Sequence, residues 1–334
     1  MRTVIKDQRF DEERSLYALN HGDVLDCVFA GPADGESVLK EARDVALERC
    51  DFSLRYPLWH VRGFKLKDCK MDELTRAAIW YAEGGEIRDS ILGGIKAVRE
   101  CKDISIKGTE IVSQEFGWKS SGITLEDSSV TAEYLFFDSR DVTLDRVKMK
   151  GKYSFQYMEN LTIRDSVLDT KDAFWHSKNV TVINSVVKGE YLGWFSEGLT
   201  LINCAISGTQ PLCYCKDLKL IDCTMEGTDL SFEYSDVEAT VKGEYLGWFS
   251  EGLTLINCAI SGTQPLCYCK DLKLIDCTME GTDLSFEYSD VEATVKGHID
   301  SVKNPRSGSV IADSVGEVIM GDAVMECTGK VIIR

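Results

Sequence analysis

The feature that most constrains this chain is a column of small residues at a fixed step of 19: Ser90, Thr109, Ser128, Val147, Ser166, Ser185, Cys204 and Cys223. Cys27, Cys50 and Cys69 extend it toward the N-terminus at a similar spacing. Most of these small residues sit in one frame, apolar-x-apolar-x-Asp/Asn before the small residue and x-apolar after it, as in Leu161 to Leu168 and Leu218 to Met225. Short runs that alternate in this way have strand spacing, with successive side chains on opposite faces. The Asp or Asn that ends most of these runs favours turns and tolerates left-handed backbone. Three short strands and three turns per repeat close one coil, and stacked coils hydrogen-bond strand to strand about 4.8 Å apart. The expected fold is therefore all-β, a single-stranded parallel β-helix, or solenoid, of 19-residue coils. Pentapeptide and left-handed hexapeptide helices need coils in multiples of five or six, which 19 does not provide.

A second column checks the first. All six tryptophans, Trp59, Trp80, Trp118, Trp175, Trp194 and Trp248, lie seven residues before the second apolar position of their coil. Like residues then stack over like: Leu, Ile, Val and Met are expected as inward ladders, with Cys or Ser filling a tight corner.

Residues 187–240 recur without a single change as residues 241–294, a 54-residue identity. Exposed positions normally drift, because most surface substitutions have little effect on stability. Identity that includes them points to a recent or deliberate insertion, and an engineered one is favoured. With Ala239 and Ala293 placed on the corner column, the unit reads as three coils of 19, 19 and 16 residues. Whole added coils are expected to keep every ladder in register, since a solenoid's stability is roughly a sum of unit and neighbour terms.

The 334 residues are read as one domain. Residues 1–20 break the pattern and are expected to cap the N-terminal end; 21–297 are coils, with 187–240 duplicated as 241–294. From His298 the period fails, and 298–334 is expected to close the C-terminal end. Caps matter because open strand edges invite pairing with other chains. No stretch approaches the length of a membrane span. The segment from Met1 to Asp7 lacks the apolar core of a secretory signal, so a cytoplasmic location is expected. The 13 cysteines are odd in number and mostly fall on the repeat column, which reads as small buried thiols rather than bridges.

The coil pattern, the aromatic column and the Ser301-Val302-Lys303-Asn304-Pro305-Arg306-Ser307-Gly308 stretch resemble a bacterial family of right-handed β-helix proteins of unknown function. The resemblance covers essentially the whole chain apart from the second copy. It implies a right-handed helix similar to that of pectate lyases and related polysaccharide enzymes. It implies no activity, because fold does not determine function.

The aromatic column is the best functional candidate. Trp118, Trp175, His176, Tyr191, Trp194, Tyr245 and Trp248 are the expected ligand-binding residues, with Phe174, Phe195 and Phe249 nearby. Aligned aromatics on one face suit a glycan or a protein partner; packed inward, they would only stabilise the coil. His60 and His176 share a column but lie several coils apart and cannot share a metal. The Cys213/Cys215 and Cys267/Cys269 pairs lack the spacing of a zinc site. No metal site, cofactor or catalytic residue is assigned. Asp68, Asp89, Asp127, Asp165 and Asp222 occupy the turn column; Asp138, Asp141 and Asp145, with Arg140 and Arg146, form the nearest thing to a carboxylate cluster. The favoured expectation is a non-catalytic binding protein. A polysaccharide lyase or hydrolase is the alternative by fold analogy. A net charge of −17 disfavours nucleic-acid binding and leaves an acidic rod imitating nucleic acid as a further alternative.

Overall fold

The computed structural model describes residues 1–31, 36–226 and 231–334. Among them there is no helix, and hence none long and apolar enough to cross a membrane. The strands pair in parallel with about 19 residues per turn, a right-handed β-solenoid. The chain separates into two compact units, Met1–Asp169 and Thr170–Arg334.

In the first unit the inward ladder is Ile87, Ile106, Leu125, Leu144 and Ile163, each in register with the next and fully buried. Burying one such side chain contributes about 1.5–3 kcal/mol, so repetition alone builds the core. Phe10, Phe29 and Phe52 stack at centroid separations of 5.2 and 4.7 Å. The first coil already belongs to this stack: Thr3–Lys6 pairs with residues 22–25.

The corner column has a hydrogen-bonding reason. Where a strand bends, its backbone groups lose their ladder partners, and an unpaired buried group is unfavourable. Ser90 Oγ donates to Arg88 O at 2.7 Å and accepts from Cys69 N at 3.1 Å. Ser128 and Ser166 accept from Thr109 N and Val147 N in the same way. A second corner of this kind, unrecognised in the sequence, follows the tryptophan turn: Ser120 accepts from Cys101 N and Ser139 from Ser120 N, both at 3.1 Å. It accounts for Cys101, Cys215 and Cys269, which lie off the first column. The turn-column aspartates are left-handed, with φ of 52° at Asp68, 50° at Asp89 and 48° at Asp127 and Asp165.

In the second unit Val182, Leu201 and Leu220 continue in register. Ala239 pairs with Leu220 and Ala293 with Leu274. Both alanines therefore stand on the inward strand column, not at the corner. The third coil of each copy lacks the Asp-Cys corner, so Asp236–Lys242 and Asp290–Lys303 run through it as single strands. Register slips between Leu220 and Cys223, and again between Leu274 and Cys277. The expectation that added coils keep every ladder aligned fails at these coils, because a missing turn shortens the path round the coil. Residues 227–230 of the first copy lie outside the described residues. The unit ends with Ser307–Ile319 against Asp290–Lys303, and Lys330–Ile333 against residues 309–312.

Candidate functional site

Trp118, Trp175, Trp194 and Trp248 each sit in a five-residue turn in which left-handed and extended residues alternate; at Trp59 and Trp80 only the first and fifth residues are left-handed. In Tyr191-Leu192-Gly193-Trp194-Phe195 the first, third and fifth have φ of 54°, 76° and 59°. The third residue points into the core, as Phe136, Phe155 and Phe174 do in their coils, all essentially fully buried. The first and fifth point outward and flank the tryptophan. A bulky residue in this conformation is strained by roughly 1–2 kcal/mol. Aromatic contact contributes about 0.5–1.5 kcal/mol beyond simple burial, which offsets much of that strain.

All six indoles are half-buried, neither in the core nor free in solvent. Trp118, Trp175, Trp194 and Trp248 donate their indole N–H to the carbonyls of Tyr134, Tyr191, Gln210 and Gln264, at 2.7, 2.6, 2.7 and 2.5 Å. Each indole thus fastens its turn to the turn of the next coil. Trp59 and Trp80 differ. They stack at 5.3 Å, with Lys40 Nζ 3.8 Å from the Trp59 ring and Arg99 5.4 Å from Trp80, and their N–H groups have no hydrogen-bond partner among the described residues.

In the second unit the residue after each tryptophan position builds a ladder. His176, Phe195, Tyr214 and Tyr234 stack at 5.0, 5.0 and 5.5 Å with interplanar angles of 7°, 18° and 18°. Phe249 and Tyr268 stack likewise at 5.0 Å and 20°, and Tyr288 lies 5.5 Å from Tyr268 at a tilt of 47°. Phe195, Tyr234 and Phe249 remain 44%, 48% and 50% exposed. Trp194 meets Tyr191, Phe195 and Tyr214 edge-on, and Trp248 meets Tyr245, Phe249 and Tyr268 likewise.

The expected site residues therefore fall on two aromatic runs: Trp175, His176, Tyr191 and Trp194 lie on the run that ends at Tyr234, and Tyr245 and Trp248 on the run from Phe249 to Tyr288, with Tyr234 set over Gly252 between them. Trp118 lies in the first unit, where it packs on Phe137 at 5.2 Å. Tyr214, Tyr234, Tyr268 and Tyr288 were missed, although they follow the tryptophan column by one or two positions and the 19-residue step could have found them. The stacking fixes what the strip presents. The faces of Phe195 and Tyr214 are closed by their neighbours, so ring edges and tyrosine hydroxyls meet solvent.

The other candidates disperse. Asp138 lies 4.0 Å from Lys119, Asp141 accepts from Asn160 Nδ2 at 2.9 Å, and Asp145 pairs with Arg146. Of the three, only Asp138 lines the shallow hollow of about 360 Å³ that also holds Lys119, Arg140, Tyr157 and Glu159. The cysteines are free thiols, all buried except the half-buried Cys327. Burial pushes Cys101, Cys213 and Cys269 up to about 12. Among the described residues no group of three or more His, Cys, Asp or Glu is placed to hold a metal ion.

A family described as "Protein of unknown function (DUF3737)" matches residues 3–243 and again residues 237–333. The chain belongs to the DUF3737 family. The two matches meet inside the repeated segment. No curated protein matches the chain. Among solved structures, the surface adhesin PfbA of Streptococcus pneumoniae aligns over 86% of this DUF3737 chain and 82% of its own, at 9% identity and a TM-score of 0.31. The A-module of the mannuronan C-5 epimerase AlgE6 of Azotobacter vinelandii aligns over 96% and 91%, at 9% identity and 0.30. The catalytic domain of a GH87 alpha-1,3-glucanase aligns over 87% and 64%, at 8% identity and 0.33. Likeness at these scores carries no argument about function.

Proposed function

We propose that this DUF3737 chain is a non-catalytic β-solenoid whose aromatic strip, in the unit Thr170–Arg334, docks a protein partner. The observation that carries this reading is the set of exposed rings, Phe195 and Tyr234 on one run and Phe249 on the next, backed by half-buried Trp194 and Trp248. Sugars pack on open ring faces, and here neighbouring rings cover the inner faces. Edges, indoles and tyrosine hydroxyls instead suit a protein surface, where Tyr and Trp are common anchors. Exposed apolar strips of this kind mark interaction surfaces. Localisation in the cytoplasm belongs to the same proposal. The acidic-rod alternative needs an unbroken negative stripe. Here cations sit one coil from their carboxylates, as in Lys107–Glu126, Arg146–Asp127 and Lys216–Glu197.

The test replaces Phe195, Tyr234 and Phe249 together by Asn, which accepts left-handed backbone and removes the rings. Parent and variant are compared in pull-downs from source-cell lysate and on a glycan array. A partner protein held by the parent and lost by the folded variant supports the proposal. Glycan capture abolished by the same substitutions would overturn it, as would turnover of a polysaccharide that disappears with Asp138→Ala.

A further inference from the structure

The repeat places identical residues in two surroundings. Ser285-Phe286-Glu287-Tyr288 in the second copy matches Ser231-Phe232-Glu233-Tyr234 in the first. In the second copy Glu287 is 7% exposed and its carboxylate takes Lys303 Nζ at 3.0 Å; Lys303 also reaches Asp322 at 3.3 Å. Tyr288 is 8% exposed, its hydroxyl accepting from Val324 N at 3.1 Å and its N–H donating to Asn304 O at 3.0 Å.

In the first copy the following coil is different. Tyr234 N–H donates to Glu251 O at 2.9 Å, which puts Glu251 where Asn304 stands in the second copy and Ser250 where Lys303 stands, so this coil brings a carboxylate and no ammonium group. Glu233 is half-buried, and no cation lies within ion-pair reach of it among the described residues. The nearby Lys270 pairs with Glu251 at 3.9 Å. Burial, and then the Glu251 carboxylate, hold the Glu233 carboxyl above its usual range. The Tyr234 hydroxyl is raised as well, by the Glu251 carboxylate first and then by burial. Burial first of all raises both Tyr214 and Tyr268; Glu251 adds a small rise at Tyr214, and Lys303 slightly opposes the rise at Tyr268. A half-buried carboxylate without a countercharge is unfavourable and draws a cation.

We propose that Glu233, Tyr234 and Glu251 form a receptor for a primary ammonium group, the place that Lys303 fills beside the identical residues of the second copy. An ammonium ion supplies three donors, enough for both carboxylates and the tyrosine hydroxyl. The site shares Tyr234 with the docking surface, but its test is separate, because a small amine reports on it directly.

The probes are n-butylamine hydrochloride, n-butanol as its neutral analogue, and a blocked peptide with the sequence of residues 301–305. Each is titrated into the full chain by calorimetry and by following the Tyr234 ring resonances. Butylammonium is expected to bind saturably and butanol not at all, with affinity falling at least tenfold in Glu233→Gln. Binding of both cations means that the head group alone is recognised; binding of the peptide only assigns the site to a lysine of a protein. Glu251→Lys supplies the ammonium group from within the chain. It is expected to raise the melting temperature in the parent and not in the Glu233→Gln background. Circular dichroism verifies that each variant keeps its β signal. If neither cation binds, if binding survives Glu233→Gln, or if the Glu251→Lys gain is the same in both backgrounds, the proposal fails.

Discussion

Excising residues 241–294 joins Thr240 to Val295 and leaves 280 of the 334 residues. The new junction has the sequence already found from Thr294 to Val295, so each residue near it regains neighbours that the second copy shows. At the seam between copies, Asp236 and Val237 pair with Thr254 and Leu255 at a step of 18, while Thr240 to Lys242 pair with Ala259 to Ser261 at a step of 19. The same residues in the second copy, Asp290 to Val295, pair without a break with Ser307 to Ala312. A backbone hydrogen bond contributes about 0.5–1.5 kcal/mol net, so restoring even two contributes about 1–3 kcal/mol. The denaturant slope follows the surface exposed on unfolding and should fall in proportion to length, by about 16%. Loss of three coils lowers the total free energy in step with the slope, and removal of the broken seam works the other way. Urea titration of both chains, read by far-ultraviolet circular dichroism and tryptophan fluorescence, should therefore give a lower slope at an equal or higher midpoint. A clearly lower midpoint would show that the copied coils stabilise their neighbours and would refute the reasoning.

Trp194→Phe removes the indole N–H that Gln210 O receives at 2.7 Å and should lower urea-derived stability by about 0.5–1.5 kcal/mol. Trp59→Phe should cost less in the same assay, because the Trp59 N–H has no hydrogen-bond partner among the described residues. Phe136→Ala empties a fully buried position and should destabilise by about 3–5 kcal/mol, enough to register plainly in a thermal melt. Asp127 is held below the usual carboxylate range by Arg146 first and then Lys107. A depressed value stabilises above the unfolded pKa of about 4 and is lost as pH falls through the folded value. Asp127→Asn should thus be less stable than the parent at neutral pH and equal to it in acid, a difference that pH-dependent denaturation measures directly.

Repetition made the architecture readable. A step of 19 between small residues implies that each coil meets the next at equivalent positions, and Ile87 does stand over Ile106 and Ile106 over Leu125. Asp68 and Asp127 could be assigned to turns because their residue type tolerates left-handed backbone. The aromatic strip was half legible. The tryptophan column was visible, but Tyr214 and Tyr268 were not picked out, since nothing local separates a tyrosine on a ladder from one on a plain surface.

Local sequence thus determined the period, the columns and the turn residues, because these depend on spacing and backbone preference. Tertiary structure decided which ring faces are closed, since a ring's cover comes from the coil above it. It also decided the strands of the two copies. The residues that form Glu197–Ile202 in the first copy form only Thr254–Ile256 in the second. Glu233 lacks the lysine that its twin Glu287 holds. In a parallel solenoid a strand's hydrogen-bond partners belong to the adjacent turn, so identical residues adopt different structure when their neighbours differ.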